Sequence, residues 1–275
     1  ALEKELSLQA LQRQKENPFQ LTFDGWRQLA YRDGPYGHDP LGFINDVKNI
    51  GKEELSPLAD NIVKGNQIMI IAGSLNRSLE KQVLEFKPFN KLISKQDYVY
   101  NSLNKQNIIS SSKSNESTLC LHPEPTGQVV IMLGQPTIPY GHQDDLALRL
   151  LSCYLGTGMS SLLFRELREN HGVAYDVGIH HPIREGETPF LIHVSTTEGK
   201  ALLTLQLLQE IWESLKSKKM SNEEIDLTKA KFQGQLAHNG QTISQRAERK
   251  ARLRGLQVED NYDIKNIKKI KSISS

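Results

Sequence analysis

The sequence is short of several things, and each shortage closes a class of function. Only two cysteines, Cys120 and Cys153, occur in 275 residues. Two are too few for a disulfide framework, and they fit core or linker positions as well as a pairing. No apolar run approaches the roughly 18 residues needed to cross a bilayer, and the start lacks a basic segment followed by an apolar one. The expectation is a soluble chain without a membrane span, in cytoplasm or periplasm, or in an organelle of a eukaryote. Charge of one sign is also missing: 34 Lys and Arg stand against 32 Asp and Glu, a formal net of +2. Such a balance advertises no basic field for nucleic acid. Hydrophobic residues make up 37% of the chain and mean hydropathy is -0.48, which implies a wet surface.

A self-contained hydrolytic metal site is lacking as well. Zinc hydrolysis needs three protein ligands, an open water position and a nearby carboxylate, and H-E-x-x-H or H-x-x-E-H on a helix supplies two of the ligands and that carboxylate within one turn. Neither motif occurs among the eight histidines, His38, His122, His142, His171, His180, His181, His193 and His238. The one adjacent pair, His180-His181, falls in an extended or loop region, where neighbouring side chains point to opposite faces and do not converge on one ion. Ser152, Ser160, Ser161 and Ser195 lack a nucleophile-elbow setting, and Gly156-Thr157-Gly158 lacks the spacing of a phosphate loop.

What is present is alternation of helix and strand patterns. Leu2, Leu6, Leu8 and Leu11 among charges read as a surface helix ended by Pro18. A second helix spans about Thr22 to Tyr31, and Lys52 to Lys64 and Leu79 to Phe86 form two more. Gln67 to Gly73 has the composition of a buried strand. Serines and asparagines then dominate, so residues 96–117 are the expected linker between a first region, 1–95, and a second, 118–275. The second region runs through strand Gln128–Gly134, an apolar helix from Asp144 to Leu155, a helix carrying Leu162, Leu163 and Leu167, strand Phe190–Val194, and a helix from about Lys200. Ser221 followed by Glu224 at the capping-box distance opens another helix. The lysine-rich tail, Asp263 to Lys271, is expected to fray. The fold class that follows is α+β, sheets covered by helices.

The densest chemistry is Phe164-Arg165-Glu166-Leu167-Arg168-Glu169-Asn170-His171-Gly172-Val173-Ala174-Tyr175. A helix carrying Arg168 reaches Gly172, a natural left-handed stop, and the chain turns into an extended segment carrying Tyr175. A guanidinium and a phenol on one cleft wall are both able to donate to peptide carbonyls. Chemistry alone favours the plainer reading, a solvated charged face with Tyr175 packed at its edge.

The linked stretch from Leu150 to Tyr175 resembles the characteristic segment of the pitrilysin, insulinase and mitochondrial processing peptidase family of zinc metallopeptidases. Pro35 through Gly42, Ile50 to Leu55 and the run ending at Gly73 are also similar to that family's region before its second domain. The resemblance implies two related domains of the mitochondrial-processing-peptidase type, each a mainly antiparallel sheet covered by helices, with the first domain incomplete in residues 1–95. It implies two halves closing around a peptide as a clamshell, as a homo- or heterodimer or within one chain. The active half of such a pair carries H-x-x-E-H and a glutamate as third zinc ligand on a later helix. Aligned on Leu2-Glu3-Lys4-Glu5, that glutamate falls at Gln12, whose neutral amide is a poor zinc donor. By resemblance this is therefore a non-catalytic portion, with no catalytic residue or metal ligand of its own. Zinc is expected in the active partner or in a missing portion, and Arg168 and Tyr175 are the expected substrate-binding residues. Two alternatives stand beside this reading: a fragment of an active endopeptidase whose histidine motif lies upstream, and a structural subunit resembling the core proteins of a respiratory complex.

Overall fold

The computed structural model describes residues 2–32, 34–64, 67–74, 76, 78–85 and 118–273. The linker expected over 96–117 lies outside the described residues. Two helices, α1 (Leu2–Lys15) and α2 (Pro18–Tyr31), open the chain. Asn17 separates them: its side-chain oxygen accepts from the Phe19 amide at 3.0 Å and the Gln20 amide at 3.4 Å, and Pro18 sits at the first helical position. An Asn cap followed by proline at that position starts a helix, because the missing proline N–H would have had no partner there. A short α3 (Ile44–Asn49), not signalled by periodicity, packs on α1, and Lys4 donates to the Ile50 carbonyl at 3.1 Å.

The described residues hold one sheet, formed by β1 (Gln128–Thr137), β2 (Asp176–His180) and β3 (Thr188–Thr197) in the order β1-β3-β2, with both pairings antiparallel. On β1 the register runs from Gln128 opposite Thr197 to Thr137 opposite Thr188, and on β2 from Asp176 opposite Ser195 to His180 opposite Leu191. The central strand, Thr-Pro-Phe-Leu-Ile-His-Val-Ser-Thr-Thr, has no regular polar alternation because it is covered on both faces.

The two covers differ in kind. Phe190, Ile192 and Val194 point to one face and join Leu155 of α6 (Asp145–Gly156), Leu163, Leu167, and Leu208 and Ile211 of α7 (Ala201–Ser214) in the main apolar cluster. The opposite face lies under α2. There the Phe19 ring meets His193 edge-on at 5.1 Å and Phe23 meets His180 at 5.0 Å. The Trp26 indole donates to the Gly134 carbonyl at 3.3 Å and the Tyr31 hydroxyl to the Glu187 carbonyl at 3.0 Å. Gly178 leaves the space the His193 ring fills, since a Cβ there would come within 2.7 Å of Nε2. Burial pushes His180 down to about 4, with Arg184 adding to the shift, and pushes His193 down against the opposing effect of Asp176. His181, on the other side of the strand, meets Phe190 at 5.4 Å, and its Nδ1 donates to the Pro189 carbonyl at 3.0 Å. The adjacent histidines thus diverge, as strand geometry requires.

Packing separates this unit, residues 2–50, 118–232 and 272–273, from a second one made of residues 51–85 and 233–271. The long α8 (Asn222–His238) runs through the division. Its start shows the expected reciprocal cap, with the Ser221 hydroxyl accepting from the Glu224 amide at 3.2 Å and the Glu224 carboxylate accepting from the Ser221 amide at 2.9 Å. The second unit is helical where described, with α4 (Lys52–Lys64), α5 (Leu79–Glu85), α9 (Ile243–Gly255) and α10 (Tyr262–Ile270).

Two expectations are corrected here. The lysine-rich tail does not fray: it forms α10, with Ile270 fully buried and Asp263 held at 2.5 Å by Arg249 of α9. Lysines at positions 265, 268 and 269 occupy its wet side, while Asp263, Asn266 and Ile270 are buried. The run Gln67–Ala72 joins no sheet among the described residues, and Ile68 and Ile71 are exposed. Its composition reported β propensity, which becomes a strand only against a neighbour.

Candidate functional site

The helix after α6 begins as α-helix at Leu162 and widens to a π-helical segment over Phe164–Asn170. Hydrogen bonds one residue longer than those of an α-helix mark it, the His171 amide reaching the Glu166 carbonyl at 3.2 Å. Leu167 anchors the segment as a fully buried member of the apolar cluster, so Arg168 and Glu169, next in line, face water. Gly172 then takes φ +59°, the left-handed conformation that glycine adopts without penalty, and ends the helix.

The turn beyond it is fastened at every residue. The Val173 and Ala174 amides share the Leu167 carbonyl, at 2.8 and 3.1 Å. The Tyr175 amide donates to the Ser195 carbonyl of β3 at 2.9 Å. Lys200 donates to the Gly172 carbonyl at 2.8 Å, and the buried Thr196 hydroxyl to the Val173 carbonyl at 2.7 Å. Val173 and Ala174 are buried by these contacts, while the Tyr175 ring remains 66% exposed.

Arg168 and Tyr175 are therefore neighbours. The Arg168 Nη1 donates to the Tyr175 carbonyl at 3.0 Å, and its guanidinium lies over the Phe164 ring, 5.1 Å from the centroid. One of five N–H donors is spent on that bond, and the Arg168 and Tyr175 side chains are both exposed. Arg168 and Glu169 are solvated, Arg165 and Glu166 are half-buried, and Tyr175 is exposed rather than packed at the edge of that face. Neither the π-widening nor the part played by Thr196 and Lys200 carried any signal in the sequence, because the contacts join residues 23 and 28 positions apart.

Other reactive groups nearby are tied up. The Tyr154 hydroxyl donates to Glu224 at 2.9 Å, and burial, with that hydrogen bond, raises it to about 12. Burial likewise raises the Cys153 thiol, which disfavours a reactive thiolate. Gln12 is exposed on α1, beside the buried Leu11. Among the described residues no group of three or more His, Cys, Asp or Glu side chains gathers at a point. Among them also, no helix is long and apolar enough to cross a membrane.

Residues 51–232 match the family described as peptidase M16 inactive domain. The chain belongs to that family. An M16 inactive-domain protein of known structure from Pseudomonas fluorescens superposes with a TM-score of 0.78 at 20% identity, covering 98% of this chain and 63% of that one. A protease from Helicobacter pylori gives 0.79 at 21% identity, covering 98% and 64%. At such identities these likenesses carry the fold. An uncharacterized zinc protease of Rickettsia felis is 26% identical over 254 residues, 90% of this chain and 58% of the relative. The M16 inactive domain described here thus spans less than two thirds of the length of the proteins it matches. Its α+β fold, three antiparallel strands under helices, agrees with the expectation from sequence.

Proposed function

We propose that this chain is a non-catalytic portion of a zinc metalloendopeptidase assembly and contributes peptide-binding surface to a chamber closed by a second peptidase-like half. Arg168 and Tyr175 are the peptide-contacting pair, and the zinc belongs to the other half or to a portion of the protein outside these residues. In this reading residues 1–95 and 118–275 are two peptidase-like domains. The single observation that carries the proposal is the Arg168–Tyr175 arrangement, in which Arg168 donates to the Tyr175 carbonyl and both side chains are exposed on a turn whose backbone is fastened by hydrogen bonds. Preorganised donors favour binding because little freedom is lost when a ligand arrives. Membership of an inactive-domain family and the neutral amide at Gln12 support the assignment of the metal elsewhere.

The test is binding of fluorescein-labelled casein peptides, followed by anisotropy, to the full-length protein and to its Arg168→Ala and Tyr175→Ala variants. Loss of a charge-assisted hydrogen bond is worth about 1.5–3 kcal/mol, so Arg168→Ala is expected to weaken binding by about tenfold or more, with a smaller loss for Tyr175→Ala. Unchanged affinity in both folded variants sinks the peptide-binding role and leaves the domain a structural one. Zinc-dependent hydrolysis of the same peptides by these 275 residues alone would sink the non-catalytic part.

A further inference from the structure

We infer that the Thr196 hydroxyl is a positioning group for Tyr175, holding from inside the core the turn that presents the phenol. The inference deepens the peptide-binding proposal and rests on it for its functional meaning, but its structural content stands separately.

Thr196 lies on the central strand with no solvent exposure, and β2 begins, at Asp176, one residue short of it in register. Continuing that pairing by one residue sets Tyr175 opposite Thr196, beyond the last ladder pair, Asp176 with Ser195. At that point the sheet no longer fixes the chain by ladder pairing alone, and a side chain takes over. The Thr196 Oγ1 donates to the Val173 carbonyl at 2.7 Å. A buried carbonyl without such a donor keeps its desolvation penalty unrelieved.

Proton counting shows which hydroxyl matters. Thr204, also without exposure, stands 3.3 Å from Thr196 oxygen to oxygen and 2.8 Å from the Lys200 carbonyl. Each threonine has one proton to give. Thr196 gives its own to Val173, and Thr204 gives its own to the shorter contact, Lys200, one helical turn back. Thr204 therefore supports the start of α7, while Thr196 alone donates to the turn from within the core. Lys200 adds an outer fastening at the Gly172 carbonyl, but from an exposed ammonium that water replaces readily.

The test compares Thr196→Val, nearly isosteric but without a donor, with Thr196→Ser, which restores the hydroxyl, and Thr204→Val. Two quantities are read on the full-length protein: hydrogen exchange of the Ala174 and Tyr175 amides, and affinity for fluorescein-labelled casein peptides. In Thr196→Val exchange at these amides is expected to rise about tenfold and peptide affinity to fall severalfold, with both restored in Thr196→Ser and little changed in Thr204→Val. Unaltered exchange in a folded Thr196→Val protein overturns the inference. So does equal loosening in Thr204→Val, which would trace the effect to docking of α7 rather than to the hydroxyl. Faster exchange with undiminished affinity, while Arg168→Ala abolishes binding, overturns the link from Thr196 to the phenol's task. Failure of the peptide-binding proposal is seen differently, as affinity unchanged in Arg168→Ala and Tyr175→Ala themselves.

Discussion

The two faces of the sheet solve the same burial problem with different materials. Under α6 and α7 the interior is mainly aliphatic, with Leu155, Leu163, Leu167, Ile192, Val194 and Leu208 all without exposure, beside Phe190 and its neighbour His181. Under α2 it is aromatic and imidazole, Phe19, Phe23 and Trp26 against His180, His193 and two glycines. The first face owes its stability mainly to packing. The second rests on rings that must stay neutral and on a few directed hydrogen bonds. The site lies on the side of the aliphatic face, through Leu167 and Thr196.

The strongest way to sharpen this contrast is Leu208→Ala, which removes a fully buried side chain from the aliphatic face. Such truncations cost about 2–5 kcal/mol, and denaturant unfolding at neutral pH is expected to show a loss in that range that persists unchanged at mildly acidic pH. The second concerns acid. The folded protein holds His180 below its ordinary value of 6.5, at about 4, so the unfolded chain binds the proton first. Stability from this group is complete above about 6.5 and is lost as pH falls toward about 4. The loss is on the order of 2 kcal/mol once screening of a partly buried ring is allowed for. His180→Phe should flatten that acid limb; an equally steep decline in the variant would break the assignment of pH sensitivity to this face. The smallest effect is Trp26→Phe, which puts a smaller ring in place of the indole and deletes the donor to Gly134, a hydrogen bond worth about 1 kcal/mol, read as a shift in denaturant midpoint.

How much of this was legible in the sequence depends on the distance over which each feature is decided. The Ser221–Glu224 cap, the stop at Pro18 and the periodicity of α6 and α7 are settled within one or two turns, and they stand where the residues indicate. The strand over Phe190–Val194 was visible as an apolar run and extends further, from Thr188 to Thr197, because β1 pairs along its whole length. The tail was misread because local charge outweighed Ile270 and because Arg249, which holds Asp263, lies 14 residues away. At the site, the spacing of Arg168, Gly172 and Tyr175 gave helix, stop and strand. The sequence did not disclose that Arg168 reaches the carbonyl of Tyr175 itself, nor that a threonine from the middle strand secures the turn.

The π-helical segment has a consequence for the tolerance of this region to changes in chain length. A π-helical turn accommodates one residue more than an α-helical turn between the same two fixed ends. Here those ends are set by Leu163 and Leu167, sunk in the core, and by Gly172. Removing Glu169 or Asn170 would let the segment relax to ordinary α-helix between the same anchors, with the residues after the deletion keeping their direction. The deletion would leave a well-formed helix that still reaches the stop at Gly172.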